Sequence, residues 1–196
     1  MKILFLSRWF PHPMNNGSKI RIYNLLRGLS QNHEVTLLSF ADQPGVSPEA
    51  PELRAVCSRV EVLPWREFDP NNIRARLAAF SLEPRSIVDT FSPEMAGAIT
   101  ETLREEAYDL IIASQLQMAA YYPYFKNIPA LFEEFEIGLF HDRAFSADGK
   151  MRFRHALTWF KLRLYLSQLL DSFRACTVVS EREHQLLAQN FPRFAG

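Results

Sequence analysis

The chain has 196 residues, 47% of them hydrophobic, and its 22 lysines and arginines balance 22 aspartates and glutamates. That length and apolar share can bury a sizeable core, and zero net charge excludes a global attraction to nucleic acid or to an anionic membrane, leaving only local basic patches. Two distant cysteines, Cys57 and Cys176, exclude a disulfide framework and a thiolate zinc site and read as reduced, mostly buried thiols of a cytoplasmic protein.

The chain opens on the apolar run Ile3-Leu4-Phe5-Leu6, which Arg8 and Pro11 end too early for a secretory core. A run without polar alternation reads as a central strand covered on both faces. The stretch 9–18 holds two prolines, three asparagine or glycine residues in a row and a serine, so it is a loop, with Asn16 or Ser18 placed to cap the helix that follows. In that helix Ile22, Leu25, Leu26 and Leu29 share one face. A strand over 35–40 completes a βαβ unit. Further on, the pattern predicts a short helix over 50–56, an edge-type strand over 60–63 and a helix over 72–80. Pro84 and Ser92-Pro93 break the pattern, and Pro93 starts a helix running to about residue 106. Strands follow over 109–114, 130–133 and 176–179, with helices over 115–122, 151–173 and 181–189. The segment 138–149, with Gly138, Asp148 and Gly149, reads as a mobile loop.

Alternating strands and helices imply one α/β domain over 1–196, a Rossmann-like, doubly wound, mainly parallel sheet with helices on both faces. Ligands of such sheets sit beyond the carboxyl ends of the strands, which singles out 7–19, 114–115, 133–136 and 180–181. In the first of these, Gly17 precedes a helix whose N-terminus favours an anion. The N–H groups of Ser18 and Lys19 can meet a phosphate, and Lys19 and Arg21 can add charge; a plain turn with solvated basic residues explains the same sequence. Neither GxGxxG nor GxxxxGK[ST] is present. Glu133-Glu134-Phe135-Glu136 ends the fifth strand, where carboxylates can accept from sugar hydroxyls, act as a base or simply be solvated. His12 and His141 fall in loops at the same edge, and the plain reading of each is structural. No spacing makes a metal site, and no serine–histidine or cysteine–histidine pair supports a nucleophilic hydrolase.

Over 150–174 basic and aromatic residues interleave, a composition that suits a membrane surface. Two apolar stripes, Phe153-Leu157-Phe160-Leu164 and Leu162-Leu166-Leu169-Phe173, suit core packing instead.

Taken in order, Met1-Lys2-Ile3-Leu4-Phe5-Leu6-Ser7, the loop into Asn16-Gly17-Ser18-Lys19-Ile20-Arg21, His33-Glu34-Val35-Thr36-Leu37, Tyr108-Asp109-Leu110-Ile111-Ile112 and Thr177-Val178-Val179-Ser180-Glu181-Arg182-Glu183 resemble the N-terminal domain of a GT-B glycosyltransferase of the family-four type. The resemblance implies the acceptor-binding half of a retaining enzyme that moves a sugar from a nucleotide-diphosphate donor to a saccharide, lipid-linked or other glycoconjugate acceptor. It implies no cofactor besides that donor substrate, a cytoplasmic location with peripheral contact at the inner membrane face, and a missing C-terminal donor domain without which the chain is inactive. It carries the donor phosphate onto Asn16, Gly17, Ser18 and Lys19. His12, Arg21, Ser114, Glu134, Glu136 and His141 stand as acceptor-side candidates. The pattern departs where many relatives have a second glycine, here Asn16, and a histidine after the fifth strand, here the glutamate cluster. A non-catalytic Rossmann-like module acting through a partner subunit, and a small nucleotide-dependent oxidoreductase, are the competing readings.

Overall fold

A computed structural model describes residues 1–146 and 149–194, with side chains described except at 146 and 149–154. The elements in chain order are β1 (Lys2–Ser7), α1 (Gly17–Leu29), β2 (Glu34–Ala41), α2 (Pro51–Arg54), β3 (Arg59–Pro64), α3 (Ile73–Leu77), α4 (Arg85–Thr90), α5 (Pro93–Glu105), β4 (Leu110–Ser114), α6 (Gln115–Ala119), β5 (Ala130–Phe135), α7 (Gly138–Ser146), α8 (Gly149–Leu170), β6 (Ala175–Val178) and α9 (Glu181–Asn190). The strands form an all-parallel sheet in the order β3-β2-β1-β4-β5-β6, the α/β Rossmann-like class that the alternating pattern implies. Contacts gather the chain into two compact units, 1–66 with 92–131, and 67–91 with 132–196.

In the first unit β1 lies between β2 and β4, with Phe5 opposite both Leu37 and Ile112. Side chains alternate across a strand, so Ile3 and Phe5 share one face and Leu4 and Leu6 the other. All four are fully buried, which is why the run shows no polar alternation. Ile3 and Phe5 pack with Ile22 and Leu26 of α1, Val35 and Leu37 of β2, Leu53 of α2 and Ile112 of β4. Asn16 caps α1, its Oδ1 accepting from the Lys19 N–H at 2.9 Å. Ser92 caps α5 ahead of Pro93, accepting from the Met95 N–H at 3.2 Å. β3 is an edge strand, as its half-buried pattern implies.

In the second unit the aromatic rings of Phe132, Phe135, Phe173 and Phe191 meet at centroid distances of 5.5 to 5.8 Å. Leu162, Leu166, Leu169 and Leu170 of α8 and Leu186 and Leu187 of α9 are buried with them. Arg85 donates through Nε to the Ala75 carbonyl at 2.7 Å and through Nη2 to the Pro70 carbonyl at 2.6 Å, fixing α3 against α4.

Two segments depart from the sequence reading. The predicted loop over 138–149 is helical from Gly138 to Ser146; Asp148 lies outside the described residues. A further helix, α4, follows Pro84 directly, because a proline that breaks one helix leaves the next residues free to start another. In α8 one predicted stripe is buried and the other is not: Leu162, Leu166, Leu169 and the following Phe173 face the core, whereas Leu157, Phe160 and Leu164 are exposed. The side chain of Phe153 lies outside the described residues. Among the described residues no helix is long and apolar enough to cross a membrane.

Candidate functional site

The parallel strands of the first unit all deliver their carboxyl ends to one edge, and three serines mark it. Ser39 of β2, Ser7 of β1 and Ser114 of β4 stand in register across the sheet, each fully buried. The Ser7 hydroxyl donates to the Trp9 carbonyl at 2.7 Å and so turns the chain out of β1. Immediately after Ser114, Gln115 sits at φ 72°, a left-handed conformation uncommon for a residue with a side chain. Such strain persists only where surrounding structure holds it, and it concentrates at functional edges.

The loop from β1 to α1 leaves this edge anchored by Phe10, which is fully buried in the core cluster. It ends at Asn16 and Gly17. A side chain added at Gly17 would meet nothing within 4 Å, so the start of α1 faces open space, and its first turn carries no acidic residue. The N-terminus of a 13-residue helix with no acidic residue in its first turn is favourable to an anion.

Lys19 requires a revision. Its N–H is taken by the Asn16 cap, and its ammonium, only 1% exposed, lies 2.7 Å from Oδ2 of Asp42 just beyond β2. A charge so paired is largely cancelled at the helix start, so the attraction for an anion there comes from the helix terminus rather than from this lysine. Arg21 is half-buried one turn into the helix. His12 lies within the loop, its Nδ1 3.9 Å from a carboxylate oxygen of Glu52 in α2.

A second constellation at this edge was not legible locally. The guanidinium of Arg8, buried directly after β1, lies 4.3 Å from the ring centre of Trp9 and 3.5 Å from that of Trp65, which follows β3. Trp65 in turn meets Phe40 of β2 edge-on at 5.0 Å. This stack ties the ends of the first three strands together and fixes where the loop departs.

In the second unit β5 runs two residues further than the sequence suggests, so Glu133 and Glu134 are buried and only Glu136 is exposed. Glu134 sits at φ 59°, and its N–H donates to Thr177 Oγ1 of β6 at 3.1 Å. His141 belongs to α7, not to a loop. Its ring lies 4.6 Å from Phe145 and 5.4 Å from Trp159, and its Nδ1 is 3.6 Å from Asp142. Asp142 is held below the usual carboxylate range chiefly by its hydrogen bond from Arg182. The N-terminus of α7 is already occupied by an anion: the buried Glu183 carboxylate accepts from the Ile137 N–H at 2.8 Å and the Gly138 N–H at 2.9 Å. That start is therefore closed to a substrate phosphate, unlike the start of α1.

No protein-family model matches the chain, and no curated protein matches it in sequence. Among solved structures, the sucrose-phosphate synthase of Thermosynechococcus elongatus superposes with a TM-score of 0.59 at 13% identity, over 96% of this chain and 44% of that one. The fold is the α/β Rossmann-like fold of one GT-B half. The chain spans less than half the length of that synthase. Arabidopsis thaliana UGT89C1, solved with UDP, gives a TM-score of 0.45 at 12% identity, covering 97% of this chain and 50% of that one. Medicago truncatula UGT71G1, solved with UDP-glucose, gives 0.42 at 13% identity over 76% and 32%.

The first unit brings Asn16, Gly17, Ser18, Lys19, Arg21, His12 and Ser114 onto the segments that follow its strands, and the second unit holds Glu134, Glu136 and His141. Sequence reasoning singled out the segment starting at Ser7 but missed Ser39 and the Arg8–Trp65 stack. The serines carried a signal, since each ends an apolar strand, whereas the stack joins residues far apart in sequence.

Proposed function

We propose that this GT-B half holds the acceptor in a retaining transfer of a sugar from a nucleotide-diphosphate donor to a saccharide, lipid-linked or other glycoconjugate acceptor. The reading places it on the cytoplasmic side, working at the inner membrane face, and inactive until a donor-binding domain completes the cleft. The observation that carries it is the open start of α1 at Gly17, on a chain whose fold matches 44% of a sucrose-phosphate synthase. The donor diphosphate approaches Asn16, Gly17 and Ser18, where the unshielded helix N-terminus stabilises the negative charge that grows as the sugar–phosphate bond breaks. The same charge must be met from the opposite side, so one half alone leaves the departing diphosphate only partly stabilised. His12, Arg21 and Ser114 are the acceptor-side candidates of the first unit, and Glu134, Glu136 and His141 those of the second.

The test is Gly17→Val in the full-length gene product. Because the added side chain enters open space, the far-UV circular dichroism and melting temperature stay as in the parent. The branched side chain stands where the diphosphate approaches, so turnover falls roughly a hundredfold or more, the scale of losing one transition-state donor. Unchanged turnover rejects the loop's donor role.

A further inference from the structure

Residues 13–17, the middle of the loop that carries Gly17, are all exposed. What holds this loop in place therefore lies at its two ends. At the exit, Asn16 caps α1 and the buried Lys19 pairs with Asp42. At the entry, Arg8 is 4% exposed, and its guanidinium lies over the ring of Trp65, 3.5 Å from the centre, and 4.3 Å from that of Trp9. Trp9 and Phe10 then pack into the core cluster.

The two anchors meet at one place. Ala41 of β2 stands opposite Pro64 of β3, so Asp42 and Trp65 are the next residue on each chain. The fully buried Phe40 braces Trp65 edge-on, with ring centres 5.0 Å apart. Both ends of the loop are thus fastened where β2 and β3 leave the sheet, within the first unit. Apolar side chains would stabilise such a junction as well as a buried cation does, because the guanidinium must shed its water. What the cation adds is direction. A planar group held over an indole face fixes both the distance and the heading of the chain that leaves β1. A loop needs that property when its exposed middle must meet a ligand without shifting.

We propose that Arg8 and Trp65 are positioning residues for sugar transfer: their stack sets where the loop leaves β1, and so where Asn16, Gly17 and the start of α1 meet the donor diphosphate. This role rests on the transferase reading above. A misplacement of about 1 Å far from the chemistry costs roughly a hundredfold in rate. The helix start acts on charge that grows only as the sugar–phosphate bond breaks, so loosening the entry lowers kcat more than it raises KM.

The experiment uses the full-length gene product and the most rapidly turned over of a panel of UDP- and GDP-sugars, at a temperature where circular dichroism shows every variant folded. Trp65→Leu is expected to lower kcat roughly tenfold to a hundredfold while the donor KM changes less than about threefold. Amide hydrogen exchange over residues 14–20 speeds up in the same variant, and that of α5 stays as in the parent. Trp65→Phe keeps a ring beneath the guanidinium and recovers most of the turnover, whereas Arg8→Met loses as much as Trp65→Leu. In a Gly17→Val background Trp65→Leu adds little further loss, because both act through the same loop. A Trp65→Leu protein that melts lower but keeps the parent's kcat and exchange rates makes the stack a stabilising contact only and overturns the proposal. Losses that simply add to that of Gly17→Val overturn it as well. The two levels of the account fail separately: parental turnover in Gly17→Val rejects the transferase reading of the loop and this role with it, whereas a fall in Gly17→Val beside parental turnover in Trp65→Leu rejects the positioning role alone.

Discussion

Lys19→Met isolates the most consequential buried contact at the candidate site. The Lys19 ammonium is 1% exposed, the Asp42 side chain 7%, and 2.7 Å separates Nζ from Oδ2. Removing the ammonium leaves a carboxylate in a site with almost no water, which costs about 3–5 kcal/mol. Against a total of about 5–15 kcal/mol for a folded domain, that is a large share. At roughly 2–4 °C per kcal/mol for a chain of this size, the melting temperature falls by about 6–20 °C. Adding Asp42→Leu removes the stranded charge, and replacing both partners with apolar side chains is often neutral or stabilising. The double variant therefore recovers most of the loss. Thermal melts followed by far-UV circular dichroism on the parent, both single variants and the double variant complete the cycle. In full-length protein the double variant also keeps its affinity for the donor, because the lysine charge is spent on Asp42. A shift below about 1 °C in Lys19→Met, against the 3–5 kcal/mol scale, refutes the pairing. A double variant as unstable as the sum of the singles refutes it equally.

Other outcomes follow from single contacts. A methyl group at Gly138 would stand 2.4 Å from Oε1 of Glu183, the carboxylate that caps α7, so Gly138→Ala displaces it. The expected loss is about 1–3 kcal/mol in urea unfolding, with Gly138→Ala/Glu183→Gln less than additive. Burial pushes the Cys57 thiol up to about 12 and the Cys176 thiol up to about 11, so neither reacts with iodoacetamide at neutral pH in the native chain, and both react in denaturant. For Cys57 the folded state holds its proton longer than the unfolded state. Its contribution is complete below the unfolded thiol's pKa and is lost as pH rises towards about 12; Cys57→Ala shows a shallower alkaline loss in pH-dependent unfolding.

The βαβ opening was legible because local signals agree: a solid apolar run, then Ile22, Leu25, Leu26 and Leu29 at helical spacing, then a second run. The loop after β1 followed from asparagine, glycine and proline chemistry alone, which left its cap between Asn16 and Ser18; the structure decides for Asn16. α7 was hidden because its start is fixed from elsewhere. Gly138 looks like a loop residue until Glu183, 45 residues away, supplies the missing acceptor for its N–H. Ser180 and Glu183 form a capping-box sequence, and the Glu183 carboxylate goes to another helix instead of turning back on its own. The same holds at the candidate site. Lys19 read as a phosphate-facing cation because Asp42 is invisible to a local reading, and the Arg8–Trp65 stack joins the ends of two strands. Periodicity could show that α8 has two apolar stripes, but which one the core would take depends on packing.

Transfer and donor hydrolysis, measured with a panel of UDP- and GDP-sugars on the full-length gene product beside the isolated 196-residue chain, test the central claim most directly. The account predicts turnover in the longer protein, none in the short chain, and restoration when a donor-binding domain is supplied. Turnover by the short chain alone contradicts the division of labour between halves. No donor hydrolysis or transfer in either, where the full-length protein binds no nucleotide sugar, contradicts the transferase reading itself.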